Sequence, residues 1–179
     1  MFKLFYPYEY VDSVFAIDYE KLQNKGYKGI IFDIDNTLVH HGEESTKEVD
    51  ALFQEIHGLG LKTLLLSNNS DERIISFLEN IDAPFISLAD KPKTDNYFKA
   101  VEMLGIEKNE AVMVGDQLFT DIYGANLSGM ANILVKYMRY EDEVKIGIRR
   151  NIEKVLLNFY QRNKTYQNRI GDIVRKGQD

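Results

Sequence analysis

Two carboxylates one residue apart, Asp33 and Asp35, directly follow the apolar run GIIF. Like charges this close repel each other, and an unpaired carboxylate beside a hydrophobic core is costly. A divalent cation and a lysine together would offset both costs. The sequence therefore points first to a site that combines acids, a metal ion and a basic side chain.

Other apolar runs are also followed by polar residues that suit such a site. Asp116 and Asp121, in GDQLFTD, supply oxygen ligands of the hard kind that Mg²⁺ prefers. Lys91, in DKPKTD, supplies a positive charge, and Ser67 supplies a hydroxyl group. A metal ion, a lysine, a hydroxyl and nearby backbone N–H groups would together bind a phosphate dianion.

The elements that position these residues are short apolar runs alternating with helical patterns. Five runs predict strands: KGIIFD (28–33), KTLLLS (62–67), PFISLA (84–89), AVMVGD (111–116) and ANILVK (131–136). Between them, apolar spacing predicts a helix ending at Gly58 and Gly60, a second starting at Ser70 or Asp71, and a third from about Thr94 to Gly105. The inner faces of the last two are predicted to carry Ile74, Ile75, Leu78, Tyr97, Phe98, Val101 and Leu104.

This alternation predicts an α/β fold of the Rossmann-like type, in three layers, with a five-stranded parallel sheet. Ligands of such sheets bind beyond the carboxyl ends of the strands. Asp33, Ser67 and Asp116 each stand at a predicted strand end. We therefore expect them to meet in one site.

Four segments resemble, in order, the motifs of the haloacid-dehalogenase-like (HAD) phosphohydrolases. FDIDNTLV resembles the DxDxT motif, LLLSNN the second motif, KP the third and GDQLFTD the fourth, over roughly residues 28–135. A lone DxD motif is weak evidence for this family, whereas four motifs in the family's order are strong evidence. The segment from YPYEYVDS to FDIDNTLV is also similar to the YqeG-type group of subclass IIIA phosphatases, which is related to phosphatidylglycerophosphate phosphatases.

The resemblance implies a Mg²⁺-dependent phosphomonoester hydrolase with an aspartyl-phosphate intermediate. Asp33 would be the nucleophile. Asp35 would protonate the leaving oxygen and then activate water, with its backbone carbonyl on the metal, while Thr37 holds the turn. Lys91 would stabilise the developing charge. The implied phosphate-binding residues are Thr37, Ser67, Asn68 and Lys91, and the implied metal ligands are Asp33, Asp35, Asp116 and Asp121.

Several residues have plainer interpretations. Lys93 competes with Lys91, which we prefer because it directly precedes Pro92. Asp121 in a first helical turn could be only a dipole partner. We interpret His40 and His41 as loop residues and His57 as structural. Among whole-protein alternatives, a phospho-accepting receiver does not need Asp35, a dinucleotide-binding domain needs a glycine-rich turn, and a catalytically weak scaffold stays open.

Composition predicts one domain over residues 1–179: an aromatic N-terminal segment (1–27), a catalytic core (28–136) and a C-terminal helix with a tail (137–179). The net charge of −6 argues against nucleic-acid binding. The sequence has no cysteine, no signal-peptide pattern and no apolar run of membrane-spanning length, so we expect a cytoplasmic protein.

Neither the interval from Thr37 to Ser67 nor that from Ser67 to Lys91 can hold a cap domain. We therefore expect an open site and a phosphorylated substrate that is large, lipid-linked or covered by a second subunit. The aromatic N-terminus is predicted to pack on the domain. The amphipathic segment beyond Glu141, with Val144, Ile148, Ile152, Val155, Leu156 and Phe159, would dock on the sheet, form a homo-oligomer or contact an anionic membrane peripherally.

Overall fold

The computed structural model describes residues 2–138 and 147–175. Within these ranges, six parallel strands form one sheet in the order β1-β6-β5-β2-β3-β4. The strands are β1 (Glu9–Val11), β2 (Gly29–Phe32), β3 (Lys62–Leu66), β4 (Phe85–Ile86), β5 (Ala111–Gly115) and β6 (Ala131–Val135). The two strands that precede the paired acids, β2 and β5, are therefore neighbours at the centre of the sheet.

Six α-helices connect and cover the strands: α1 (Tyr19–Asn24), α2 (Lys47–Gly58), α3 (Asp71–Phe77), α4 (Asp95–Leu104), α5 (Tyr123–Ser128) and α6 (Ile148–Arg162). Local signals fix several of their ends. Thr46 caps α2 because its hydroxyl accepts a hydrogen bond from the Val49 amide at 3.3 Å. Gly105 ends α4 with a left-handed φ of 61°.

Alternate residues of each central strand face opposite layers. In β2, Ile30 and Phe32 pack in one core with apolar residues of α1, α2 and α3. Ile31 packs in a second core with α4 and α5. Leu156 of α6 joins Leu134 of β6 in a third, smaller cluster. The sheet is therefore covered on both faces, and the predicted three-layer α/β fold is confirmed.

The predicted strand count of five was wrong, because β1 adds a sixth strand at one edge. This strand pairs with β6, with Glu9 opposite Ile133. It lies within the segment interpreted as an aromatic N-terminus. Its three residues form no apolar run that periodicity could detect. Pairing with β6, over 120 positions away, creates the strand.

The N-terminal aromatic residues pack on the domain, as predicted. Phe5 stacks on Tyr123 with ring centroids 4.6 Å apart, and Tyr6 packs against Tyr160 and Tyr166. His57 is structural, as predicted, with its Nε2 2.7 Å from the Thr63 hydroxyl.

Some predicted inner-face residues are exposed instead. Ile75 of α3 and Phe98 of α4 are 58% and 44% exposed, while Phe77 and Ala100 are buried. In α6, Leu156 is buried, but four apolar residues form an exposed row: Ile148, Ile152, Val155 and Phe159. Glu141 and Val144, which were assigned to the same apolar pattern, lie outside the described residues.

Candidate active site

The carboxyl ends of β2, β3 and β5 bring three predicted residues to one edge of the sheet. Asp33, Ser67 and Asp116 directly follow these strands, and all three are buried. Single carboxylate oxygens of Asp33, Asp116 and Asp121 lie within 4.8 Å of one another. Because β2 and β5 are neighbours, carboxylates up to 88 positions apart in the sequence form one acidic cluster.

Lys91 lies inside this cluster. Its Nζ donates hydrogen bonds to Asp33 Oδ1 and Asp121 Oδ1, both at 2.7 Å. Burial alone would lower the pKa of Lys91, but the charges of Asp121 and Asp33 raise it overall, so the ammonium group stays charged. Lys93, the competing lysine, is exposed and pairs with Asp90.

The cluster holds more negative charge than its basic groups neutralise. Burial raises the pKa of Asp33 to about 6, although Lys91 opposes this rise. Burial also raises the pKa of Asp116 to about 8, opposed by the Arg150 guanidinium and reinforced by Asp121. A divalent cation bound by these hard oxygen donors would remove the excess charge, so the three acids fit Mg²⁺.

The segment after β5 places Asp121 with the help of two glycines. A Cβ at Gly115 would collide with the carboxylate of Asp121, which packs where that atom would lie. A π-helical turn over Leu118–Ile122 follows, and Asp121 Oδ2 accepts a hydrogen bond from the Gln117 amide at 3.1 Å. Gly124 leaves space for Tyr97, whose hydroxyl donates to the Thr120 carbonyl at 2.9 Å.

Asp35 points away from the acidic cluster. Its Oδ1 accepts from the Gly42 amide and from Arg73, each at 3.1 Å, and its Oδ2 accepts from Asn69 at 2.8 Å. His41 Nδ1 lies 3.1 Å from the same Oδ2. Burial alone would raise the pKa of Asp35, but these hydrogen bonds and charges lower it overall. Its side chain therefore stays outside the group of three metal-type acids.

A cavity of about 220 Å³ opens over Asp33 and Lys91. Ser67 and Asn68, for which phosphate binding stays a prediction, line it, and Asn68 Oδ1 also accepts a hydrogen bond from the Lys91 amide at 2.9 Å. Thr37 does not line this cavity. It is fully buried, and its hydroxyl donates to Asp116 Oδ1 at 3.3 Å. Thr37 therefore orients a candidate metal ligand rather than contacting the cavity.

Sequence reasoning missed several residues that the structure brings to the site. Thr120 lines the cavity, and its buried hydroxyl has no hydrogen-bond partner among the described residues. Asn69, Arg73 and His41 hold Asp35. Arg150 of α6 contacts both the side chain and the carbonyl of Asp116. Asn69, inside LLLSNN, and Thr120, inside GDQLFTD, stood in quoted motifs, whereas Arg73, His41 and Arg150 lie outside them.

Comparison with known proteins identifies the family of this chain. The family model of haloacid dehalogenase-like hydrolases matches residues 42–129. The probable phosphatase YqeG of Bacillus subtilis is 36% identical over 161 residues, covering 89% of this chain and 94% of that protein. Phosphatidylglycerophosphate phosphatase 1 of Arabidopsis thaliana is 28% identical over 87% of this chain, which spans 48% of that relative.

A solved structure supports the fold alone. An uncharacterized protein from Listeria monocytogenes superposes with a TM-score of 0.54 at 20% identity, covering 76% of this chain and 99% of that one. The sequence relatives carry the family assignment, since the YqeG match extends over nearly the whole of both chains. The chain therefore belongs to the haloacid dehalogenase-like hydrolases and is an enzyme of their phosphatase type.

Proposed function

We propose that this enzyme hydrolyses phosphate monoesters with Asp33 as the nucleophile and Mg²⁺ as the cofactor. The observation that carries the proposal is the position of the Asp33 carboxylate. It borders the cavity, is held by Lys91 at 2.7 Å and forms part of the buried acidic cluster. Carboxylates in this setting form covalent phosphoryl intermediates in enzymes.

In the first step, a carboxylate oxygen of Asp33 attacks the phosphorus atom and the bond to the leaving oxygen breaks. Lys91 compensates the charge that develops on the phosphoryl oxygens. Ser67, Asn68 and Thr120 supply polar groups around the same cavity. The unpartnered Thr120 hydroxyl is well suited to donate to a phosphoryl oxygen, because it would otherwise stay buried without a partner.

In the second step, water hydrolyses the aspartyl-phosphate and regenerates Asp33. Asp35 would assist as the base, and its lowered pKa keeps the carboxylate ionised for that role. The same lowered pKa makes proton donation in the first step harder, so we expect poor leaving groups to react slowly. When bound by Asp33, Asp116, the Asp35 carbonyl and Asp121, Mg²⁺ would neutralise negative charge on acids and phosphate.

For the substrate, we infer a large or lipid-linked phosphate such as phosphatidylglycerophosphate. The similarity to the Arabidopsis phosphatase supports this class. The exposed apolar row of α6 (Ile148, Ile152, Val155 and Phe159) also supports it, because this helix borders the cavity through Arg149. Basic residues on α6 would favour peripheral contact with an anionic bilayer, which the net charge of −6 opposes. No described helix is long and apolar enough to span a membrane.

The test measures Mg²⁺-dependent hydrolysis of 4-nitrophenyl phosphate and of phosphatidylglycerophosphate in mixed micelles. We expect turnover of both, with a higher kcat/KM for the lipid. Absence of aryl phosphate and lipid turnover at saturating Mg²⁺ would favour the catalytically weak scaffold. A clear preference for a small sugar phosphate or nucleotide would contradict the lipid-linked class while leaving phosphatase activity intact.

A further inference from the structure

Arg149 stands apart from the other basic residues near the catalytic cavity. It lies in the first turn of α6 and lines the same cavity as Asp33, Asp35 and Lys91. Lys91 is buried, whereas Arg149 is exposed. The cavity therefore has one cation at its base and another at its rim.

The neighbouring cations are already committed to protein carboxylates. Lys91 bridges Asp33 and Asp121. Arg73 pairs with Asp35, and Arg150 pairs with Asp116 and Glu153. In residues 2–138 and 147–175, Arg149 has no such carboxylate partner. Its guanidinium is thus available to an anion that enters the cavity from outside.

The helix that carries Arg149 is fixed to the site at several points. Glu153 is buried, and its Oε1 accepts a hydrogen bond from the Leu118 amide at 2.9 Å. Arg150 donates to the Asp116 carbonyl at 2.9 Å. Leu156 packs with Leu118 and Leu134. These contacts hold the first turn of α6 beside the cavity, so little ordering is needed for Arg149 to bind a ligand.

We propose that Arg149 is a specificity-determining residue that binds a second anionic group on the leaving-group side of the substrate. This inference rests on the proposed phosphatase function. Lys91, Ser67 and Thr120 already surround the buried end of the cavity where the scissile phosphate would meet Asp33. An exposed guanidinium at the rim is placed for what extends beyond that phosphate, and its fork of donors suits a carboxylate or a phosphodiester.

The test compares matched soluble substrates with the full-length enzyme and Mg²⁺. Glycerol 3-phosphate carries a neutral hydroxymethyl group at the position where 3-phosphoglycerate carries a carboxylate. Glycerophosphoryl-glycerophosphate supplies a phosphodiester as the second anion, and 4-nitrophenyl phosphate has none. The variants are Arg149→Ala, Arg149→Lys and, as a charge-matched control, Lys99→Ala on the exposed face of α4.

We expect Arg149→Ala to raise KM about tenfold for whichever second-anion substrate the wild type prefers, with the other KM values changed less than twofold. Arg149→Lys should restore part of the loss, and Lys99→Ala should resemble the wild type. An equal loss on all four substrates would instead place Arg149 on the scissile phosphate. No loss on any substrate, or a wild type indifferent to a second anion, would also overturn the proposal.

A binding measurement separates this inference from the proposed function. In an Asp33→Asn background, calorimetry can compare the Kd values of glycerol 3-phosphate, 3-phosphoglycerate and glycerophosphoryl-glycerophosphate without turnover. A ligand with a second anionic group should bind more tightly than glycerol 3-phosphate, and Arg149→Ala should abolish this difference. That result supports the inference even if the wild type hydrolyses none of these ligands. Equal Kd values for the three ligands, with a wild type that hydrolyses 4-nitrophenyl phosphate, would overturn the inference and leave the phosphatase function standing.

Discussion

Two groups of buried acids among the described residues have different surroundings. At the sheet edge, Glu9 of β1 is 4% exposed and accepts hydrogen bonds from the Ile170 and Gly171 amides at 2.7 and 2.8 Å. We call Glu9, Ile170 and Gly171 the terminal clasp. At the sheet centre, Asp33, Asp116 and Asp121 crowd together.

The clasp satisfies its acid with backbone donors, and each bond also ties the C-terminal segment to the first strand. Burial raises the pKa of Glu9, opposed by these hydrogen bonds. The central acids instead repel one another and depend on Lys91 and Arg150. The comparison teaches that burial alone does not identify a functional acid. Incomplete neutralisation beside a cavity is the second feature that makes Asp33, Asp116 and Asp121 candidates.

The largest expected effect comes from removing the nucleophile. Asp33→Asn keeps the shape of the side chain but loses its nucleophilic charge. Because the covalent step is then lost, turnover of 4-nitrophenyl phosphate should fall by about a thousandfold or more. Circular dichroism should stay unchanged. The matched control is Asp82→Asn, at an exposed position, which should keep full turnover. An Asp33→Asn protein with wild-type turnover contradicts the mechanism.

The next effect concerns the two metal-type acids after β5. Both carboxylate oxygens of Asp121 accept hydrogen bonds, from Lys91 and from the Gln117 amide. Asp116 pairs with Arg150 through Oδ2, and among the described residues its Oδ1 has a long 3.3 Å contact from Thr37, so this oxygen is the more available to a metal ion. We expect Asp116→Ala to raise the Mg²⁺ concentration needed for half-maximal activity about a hundredfold, and Asp121→Ala to raise it about tenfold. Titration of activity with Mg²⁺ measures both. The reverse order would make Asp121 the main ligand.

A smaller effect is expected in the clasp. Glu9→Ala leaves two half-buried amides without acceptors and should lower the free energy of unfolding by about 2 kcal/mol. Glu9→Gln retains a carbonyl acceptor and should lower it less. Urea denaturation measures the loss, and Mg²⁺-dependent turnover should stay within about twofold of the wild type. A large loss of turnover in a folded Glu9→Gln protein would mean that the two regions are coupled.

The last effect is a pH dependence of the metal-free protein. The pKa values of Asp33 and Asp116, about 6 and about 8, are raised above their unfolded values, so the folded state holds protons that the unfolded state releases. The free energy of unfolding should therefore fall as pH rises from about 4 to 8. Urea denaturation with EDTA measures this fall, and saturating Mg²⁺ should reduce it. A rise over that range, or the same fall in an Asp33→Asn, Asp116→Asn double variant, would count against this explanation.

Much of the fold and part of the site were predictable because their signals are local. Five of the six strands lie within the segments predicted from the sequence, and β2, β5 and β6 are buried at every residue. The polar residues that end β2, β3 and β5 had to meet once these strands were parallel neighbours. For Thr37, the motif predicted a position near the site but not the direction of the side chain. Its hydroxyl donates to Asp116 and does not face the cavity.

The sequence by itself determined the parallel α/β core and the strand ends that carry Asp33, Ser67 and Asp116, because residue order and periodicity encode them. Only the tertiary structure decided which distant side chains complete the site. Arg73 reaches Asp35 across 38 positions, Arg150 reaches Asp116 across 34, and the clasp joins Glu9 to Ile170 across 161. Such contacts depend on where packing places α3, α6 and the terminal segments, and no local pattern encodes that placement.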